Sequence, residues 1–195
     1  MKVAIIKYNA GNIRSVSFAL ERLSVDFIIT EAEEEIRSAD KVIFPGVGEA
    51  SSTMRYLRER KLDEVIKSLK QPTLGICLGM QLLCRHSEEN NTNCLGIFDE
   101  TVKLLKGDSM KIPHMGWNSI EKLHGWIGAS LENQYVYFVH SYYVPLNQHT
   151  TAETNYGISF SAALQKNNFY AVQFHPEKSA EPGSKILESF LKQPA

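Results

Sequence analysis

No run of apolar residues in the 195-residue sequence approaches the roughly 20 needed to cross a bilayer. The opening residues, MKVAIIKY, carry a short apolar run without a small-residue cleavage site, so they read as a strand and not as a signal peptide. Cysteine is scarce: Cys77, Cys84 and Cys94 are an odd count with no CxxC pair, which argues against a secreted disulfide framework and a structural zinc site. Charge of either sign is not in excess, since 21 Lys and Arg face 22 Asp and Glu, and no basic stripe invites nucleic acid. A small molecule or another protein is the expected partner, with no membrane, no metal and a cytoplasmic location. Internal repeats, low-complexity tracts and Pro/Gly-rich linkers are also missing, so residues 1–195 read as one domain.

The first eighty residues alternate β-rich runs with helical patterns, the sign of βαβ units and a mostly parallel sheet. KVAIIKY opens the sheet, and residues 9–12 make a turn. IRSVSFALERL then spaces Ile13, Val16, Leu20 and Leu23 at helical intervals, and DFIIT gives a second strand. KVIFPGVG is a third, stopped after Phe44 by Pro45 and two glycines that leave a loop free to change conformation. A helical stretch runs from about Glu49 to Lys70 with a break near Lys61, and Pro72 resets the chain into TLGIC, the expected central strand. Beyond about Cys94, strand-like runs (ETVKLL, WNSIEKL, YVYFVHSYYV, TTAETNY, FYAVQFHP) predict a mixed or antiparallel region, and PGSKILESFLKQ predicts a last helix.

At the end of the central strand stands GICLGMQ, a cysteine between two glycines where strand gives way to helix. Gly75-x-Cys77-x-Gly79 is the pattern of a nucleophile elbow, in which a sharp turn strains the backbone and small flanking residues let it close. A thiol there lies by a helix N-terminus that favours thiolate, and the N–H of Leu78 points where an oxyanion would form. The ordinary fate of a cysteine is burial in the core, and that is the reading adopted for Cys84 and Cys94.

A nucleophilic thiol needs a base and a group that orients the base. Among His86, His114, His124, His140, His149 and His175, the last stands out in YAVQFHPEKS. Glu177 lies two positions on, and in extended backbone the two side chains project to the same side. Pro176 between them ends the strand ladder and fixes a corner. Glu177 can then hold one imidazole tautomer and stabilise the imidazolium. Without Cys77, the same three residues would read as a surface turn.

Taken together and in this order, PGVG, GICLGMQLL and AVQFHPEKS resemble the class I, or triad, glutamine amidotransferases. The likeness implies a flavodoxin-like α/β fold: a central, mostly parallel sheet flanked by helices, with a smaller antiparallel or mixed section in the C-terminal half. It implies that Cys77 attacks the amide of L-glutamine, His175 shuttles the proton and Glu177 orients His175, with no metal or organic cofactor. Leu78 and the Gly46–Val47 segment would hold the oxyanion, in a loop thought to be misaligned until a partner acts. Gly48, Gln81, Glu89, Ser141 and Tyr142 would form the glutamine pocket, with Glu88 the neighbour that could replace Glu89 against the substrate ammonium.

PHMGWN and YFVHSYY are similar to those members of the family that feed ammonia to a separate (βα)₈-barrel cyclase acting on a ribonucleotide, as a heterodimer. Lys178, Trp117 and Tyr137 would face that barrel. Two departures fall near the expected interface: Tyr8-Asn-Ala-Gly-Asn12 where relatives commonly have YGxGN, and Ala180 in place of a frequent glycine. They keep open a paralogue serving another synthase, for surface-sugar amidation, anthranilate or purines. A cysteine hydrolase or chaperone on a related sheet would need neither Gln81 and Glu89 nor the His-Pro-Glu corner. A non-catalytic binding subunit would need no nucleophile, base and carboxylate together.

Overall fold

The computed structural model describes residues 1–8, 12–107 and 110–194. The first half runs β1 (Lys2–Ile6), α1 (Ile13–Arg22), β2 (Asp26–Thr30), α2 (Glu33–Ser38), β3 (Lys41–Phe44), α3 (Ala50–Glu59), α4 (Leu62–Ser68), β4 (Thr73–Ile76) and α5 (Leu78–Leu83). The second half is richer in strands: β5 (Cys84–Ser87), β6 (Thr92–Asn93), β7 (Phe98–Leu104), β8 (His114–Ser119), β9 (Tyr135–His140), β10 (Tyr142–Tyr143), β11 (Thr150–Asn155), β12 (Ser159–Lys166) and β13 (Phe169–Val172), before α6 (Ala180–Leu191) closes the chain.

Seven strands form the main sheet in the order β11-β12-β13-β4-β3-β1-β2. The pairs from β13 to β2 are parallel, and β11 and β12 extend the sheet antiparallel at one edge. β4, read from TLGIC, is the fourth of seven and so the central strand. The inner parallel strands β1, β3, β4 and β13 are buried on both faces, as packing between two layers of helices demands, while the edge strand β2 is partly exposed. Along β1, Ala4 and Ile6 pack with Ile36, Met54, Leu57, Val65 and Leu82, while Val3 and Ile5 turn to the other face against Val16, Leu20, Ile186 and Phe190. Each fully buried large aliphatic side chain contributes roughly 1.5–3 kcal/mol.

The helical break near Lys61 is present: Lys61 takes φ 57°, between α3 and α4. Of the turn read over residues 9–12, residues 9–11 lie outside the described residues. Three features differ from expectation. α2, β5 and β12 form although their sequences carry no clear periodic signal. The helix after Cys77 lasts six residues and passes straight into β5, so Glu88 and Glu89 follow a strand and not a helix. His-Pro-Glu is not extended; Pro176–Lys178 coil into one 3₁₀ turn, because proline at its start removes a donor that the turn does not need. Two smaller sheets, β10-β7-β5-β6 and the ribbon β8-β9, supply the predicted mixed and antiparallel section.

Candidate active site

Cys77 follows directly on β4, with φ 53° and ψ −109°. A non-glycine residue rarely adopts this backbone, and the neighbours make it possible. A Cβ on Gly79 would run into the carbonyl oxygen of Phe44, and one on Gly75 would come 2.7 Å from Leu83 Cδ1 and 2.9 Å from the Gly79 backbone. Both glycines therefore let α5 press against β3 and β4, which forces the sharp turn at the cysteine. The Cys77 N–H donates to the Val172 carbonyl at 2.8 Å, which ties the elbow to β13.

β13 in turn brings His175. Its Nδ1 lies 2.7 Å from Glu177 Oε1, with both side chains buried. Asn12, at the start of α1, donates its side-chain amide to the same Glu177 oxygen and sits 3.4 Å from His175 Nδ1. The second His175 nitrogen, Nε2, has no partner among the described residues. Burial opposes a charge on His175, yet the adjoining Cys77 sulfur and the Glu177 carboxylate outweigh it and push its pKa up to about 10. The 3₁₀ turn is anchored as well: the His175 N–H donates to the Tyr137 carbonyl at 2.9 Å, and the Ser179 hydroxyl donates to the His175 carbonyl at 2.6 Å.

In front of Cys77 opens a cleft of about 340 Å³ lined by Val47, Gly48, Leu78, Gln81, Glu89, Pro113, Val139, His140, Ser141 and Tyr142. That volume suits a ligand the size of an amino acid. All five residues read from the resemblance as the glutamine pocket thus converge here. Glu89 points one carboxylate oxygen at the Ala50 N–H, 2.7 Å away, and partial burial raises its pKa. Glu88 turns away and accepts from the Leu104 N–H at 2.8 Å. Gln81 donates to the Tyr142 carbonyl at 2.9 Å and to Gln173 Oε1 at 3.1 Å, committing its amide hydrogens within the protein. Gln173, Asn12, Pro113, Val139 and His140 also join the site; they stand in AVQFHPEKS, YNAGN, PHMGWN and YFVHSYY, where no local pattern gives them a role.

The Leu78 N–H is not free: it donates to the Gly46 carbonyl at 3.3 Å. A Cβ on Gly46 would lie 2.7 Å from Leu78 Cβ and 2.9 Å from the Tyr8 hydroxyl, so only glycine permits this approach. The Tyr8 hydroxyl holds the loop one residue earlier by donating to the Pro45 carbonyl. Gly48, at φ 123°, ends the segment in backbone that other residues rarely adopt. Turning the Gly46–Val47 peptide would withdraw the carbonyl from Leu78 and present the Val47 N–H beside it.

Trp117, Tyr137 and Lys178 form one cluster outside the cleft. The Lys178 ammonium lies 5.9 Å from the Tyr137 ring centre, and Trp117 meets that ring edge-on at 6.1 Å. Among the described residues, no three His, Cys, Asp or Glu side chains gather as a metal centre requires. No helix among them is long and apolar enough to cross a membrane.

The chain belongs to the class I glutamine amidotransferases, whose family model matches residues 4–193. Within that family it is 58% identical over 195 residues to the imidazole glycerol phosphate synthase subunit HisH of Bacteroides fragilis strain YCH46, covering 98% of this chain and all of the relative. It is 45% identical to the HisH 1 subunit of Vibrio vulnificus strain YJ016, over 98% of both. Solved structures agree on the fold. A glutamine amidotransferase superposes with a TM-score of 0.76 at 18% identity over 97% of each chain, and another from Thermotoga maritima with 0.63 at 17%, over 98% of this chain and 82% of that one.

Proposed function

We propose that this chain is the glutaminase subunit of an imidazole glycerol phosphate synthase, working in histidine biosynthesis. The observation that carries the chemistry is a strained Cys77, lining an amino-acid-sized cleft, beside the buried His175–Glu177 pair. Full-length similarity to HisH subunits carries the pathway.

The Cys77 thiolate attacks the side-chain amide carbon of glutamine, forming a carbon–sulfur bond. As the tetrahedral intermediate collapses, His175 gives its proton to the departing nitrogen and ammonia leaves. His175 then takes a proton from water, which attacks the glutamyl thioester and releases glutamate and the thiolate. Glu177 keeps the imidazole facing the sulfur. The Leu78 and Val47 N–H groups hold the oxyanion once the Gly46 carbonyl has turned away, so the resting loop keeps hydrolysis slow. Glu89 receives the substrate ammonium, and the Ser141–Tyr142 backbone receives its carboxylate. Ammonia passes to a separate (βα)₈-barrel cyclase in the cytoplasm, docked over Trp117, Tyr137 and Lys178.

Cys77→Ala tests this division of labour. In the complex with the cyclase, glutamine-dependent synthesis is expected to vanish while synthesis from added ammonium salt persists. Retained glutamine hydrolysis, or loss of both activities in a folded complex, would contradict it.

A further inference from the structure

One buried contact lies outside this scheme. Gln173, fully buried just past the end of β13, brings its Nε2 to 3.7 Å from Cys77 Sγ. The orientation of that amide follows from the groups around it. The Tyr142 carbonyl can only accept, so the Gln81 atom facing it is the NH₂ group. The same NH₂ also faces Gln173, which must answer with its oxygen and turn its own NH₂ to the sulfur.

We infer that Gln173 is a further catalytic residue, whose side-chain amide, oriented by Gln81, donates a hydrogen bond to the Cys77 sulfur and stabilises its thiolate. This rests on Cys77 being the nucleophile of the glutaminase reading. The contact acts twice in each turnover, since thiolate is the attacking group in the first step and the leaving group in the second. It also offsets a neighbour of opposite effect: the Val139 carbonyl, 3.8 Å from the sulfur, accepts the thiol proton and favours the neutral form. Other groups bear on the sulfur too. His175 and, behind it, Glu177 approach from the 3₁₀ turn, Tyr8 from the end of β1, and His140 and Glu89 from the cleft walls. They remain in place when Gln173 alone is changed, so a shift on its replacement reports the amide.

The test is the pH dependence of Cys77 alkylation by iodoacetamide, followed peptide by peptide in the full-length protein without glutamine. Gln173→Leu removes the donor. Gln173→Glu keeps the shape and the acceptor for Gln81 but offers the sulfur an oxygen, and Gln81→Met releases the orientation of Gln173. Each folded variant is expected to alkylate with its midpoint raised, by about one pH unit or more for the Gln173 changes, as the loss of a hydrogen bond to a charged group implies. Glutamate release should fall in parallel. Midpoints unmoved in every folded variant, with only thermal stability lowered, would reduce Gln173 to a packing role and overturn the inference. The glutaminase reading fails separately, if the wild-type complex releases no glutamate although Cys77 alkylates.

Discussion

Glu177 shows how much one buried carboxylate decides. It faces the His175 Nδ1 at 2.7 Å and helps raise that imidazole to about 10. Because the folded value lies above the unfolded one near 6.5, the stabilisation is complete below about pH 6.5 and is lost as pH climbs through 10. Glu177→Gln is expected to lower glutamate release by roughly 10²–10⁴-fold, as loss of an orienting carboxylate does in related triads. Melting between pH 6.5 and 10 should show a weaker alkaline decline in that variant, and an identical decline would detach Glu177 from the shift. Ala180 is a second residue-scale case. Its φ of 47° places an alanine in left-handed backbone, so Ala180→Gly is expected to stabilise the fold by about 0.5–1 kcal/mol in denaturant unfolding. This also gives the departure at that position a physical meaning.

At the scale of elements, the contact between α5 and β3 depends on a missing side chain. Gly79→Ala would drive a methyl group into the Phe44 carbonyl and is expected to cost about 3 kcal/mol or more. Gly96→Ala, at φ 75° with open space around it, should cost only about 1–2 kcal/mol of backbone strain. Equal losses on denaturant unfolding would refute the steric account. The β8–β9 ribbon carries its own pH response. His140 donates Nδ1–H to the Tyr142 carbonyl at 2.8 Å, so its Nε2 accepts from His114 Nδ1–H at 2.9 Å. Burial holds His114 down to about 4, and burial with the nearby His114 and His175 holds His140 down to about 3. Both folded values lie below the unfolded one, so stability is intact above pH 6.5 and falls as acid titrates the unfolded chain. His114→Phe, which preserves the stack on Phe138 and Tyr156, should flatten the melting curve between pH 6.5 and 4. An unchanged acid slope would assign the loss to other groups.

At the scale of the whole molecule, the sequence made the parallel half of the fold legible because helix and strand periods alternate there between clear Gly and Pro stops. α2 escaped because Glu33-Glu-Glu offers no apolar stripe and only Ile36 is buried. β12 escaped because it is buried on both faces and rich in Ala and Ser, which blurs a two-residue period. Cys77, His175 and Glu177 could be given roles from local patterns, whereas Asn12 and Gln173, although they stand in YNAGN and AVQFHPEKS, could not. They reach the site from 165 residues before Glu177 and 96 after Cys77, a proximity that only the order of strands creates. The same folding sets Trp117, at 52% exposure, beside Tyr137 and Lys178 on a face continuous with the triad through the Tyr137–His175 backbone bond. If the proposed cyclase docks on this face, Lys178→Ala is expected to weaken coupling with the fold preserved, and an unchanged coupled rate would remove Lys178 from the proposed docking surface. The most direct measurement is glutamate release from glutamine by the purified chain, alone and then with the cognate barrel cyclase and its ribonucleotide substrate. A rate that is low alone, with the Gly46 carbonyl on Leu78, and rises strongly in the complex is the expected result. High activity alone, indifferent to the cyclase, would contradict the account.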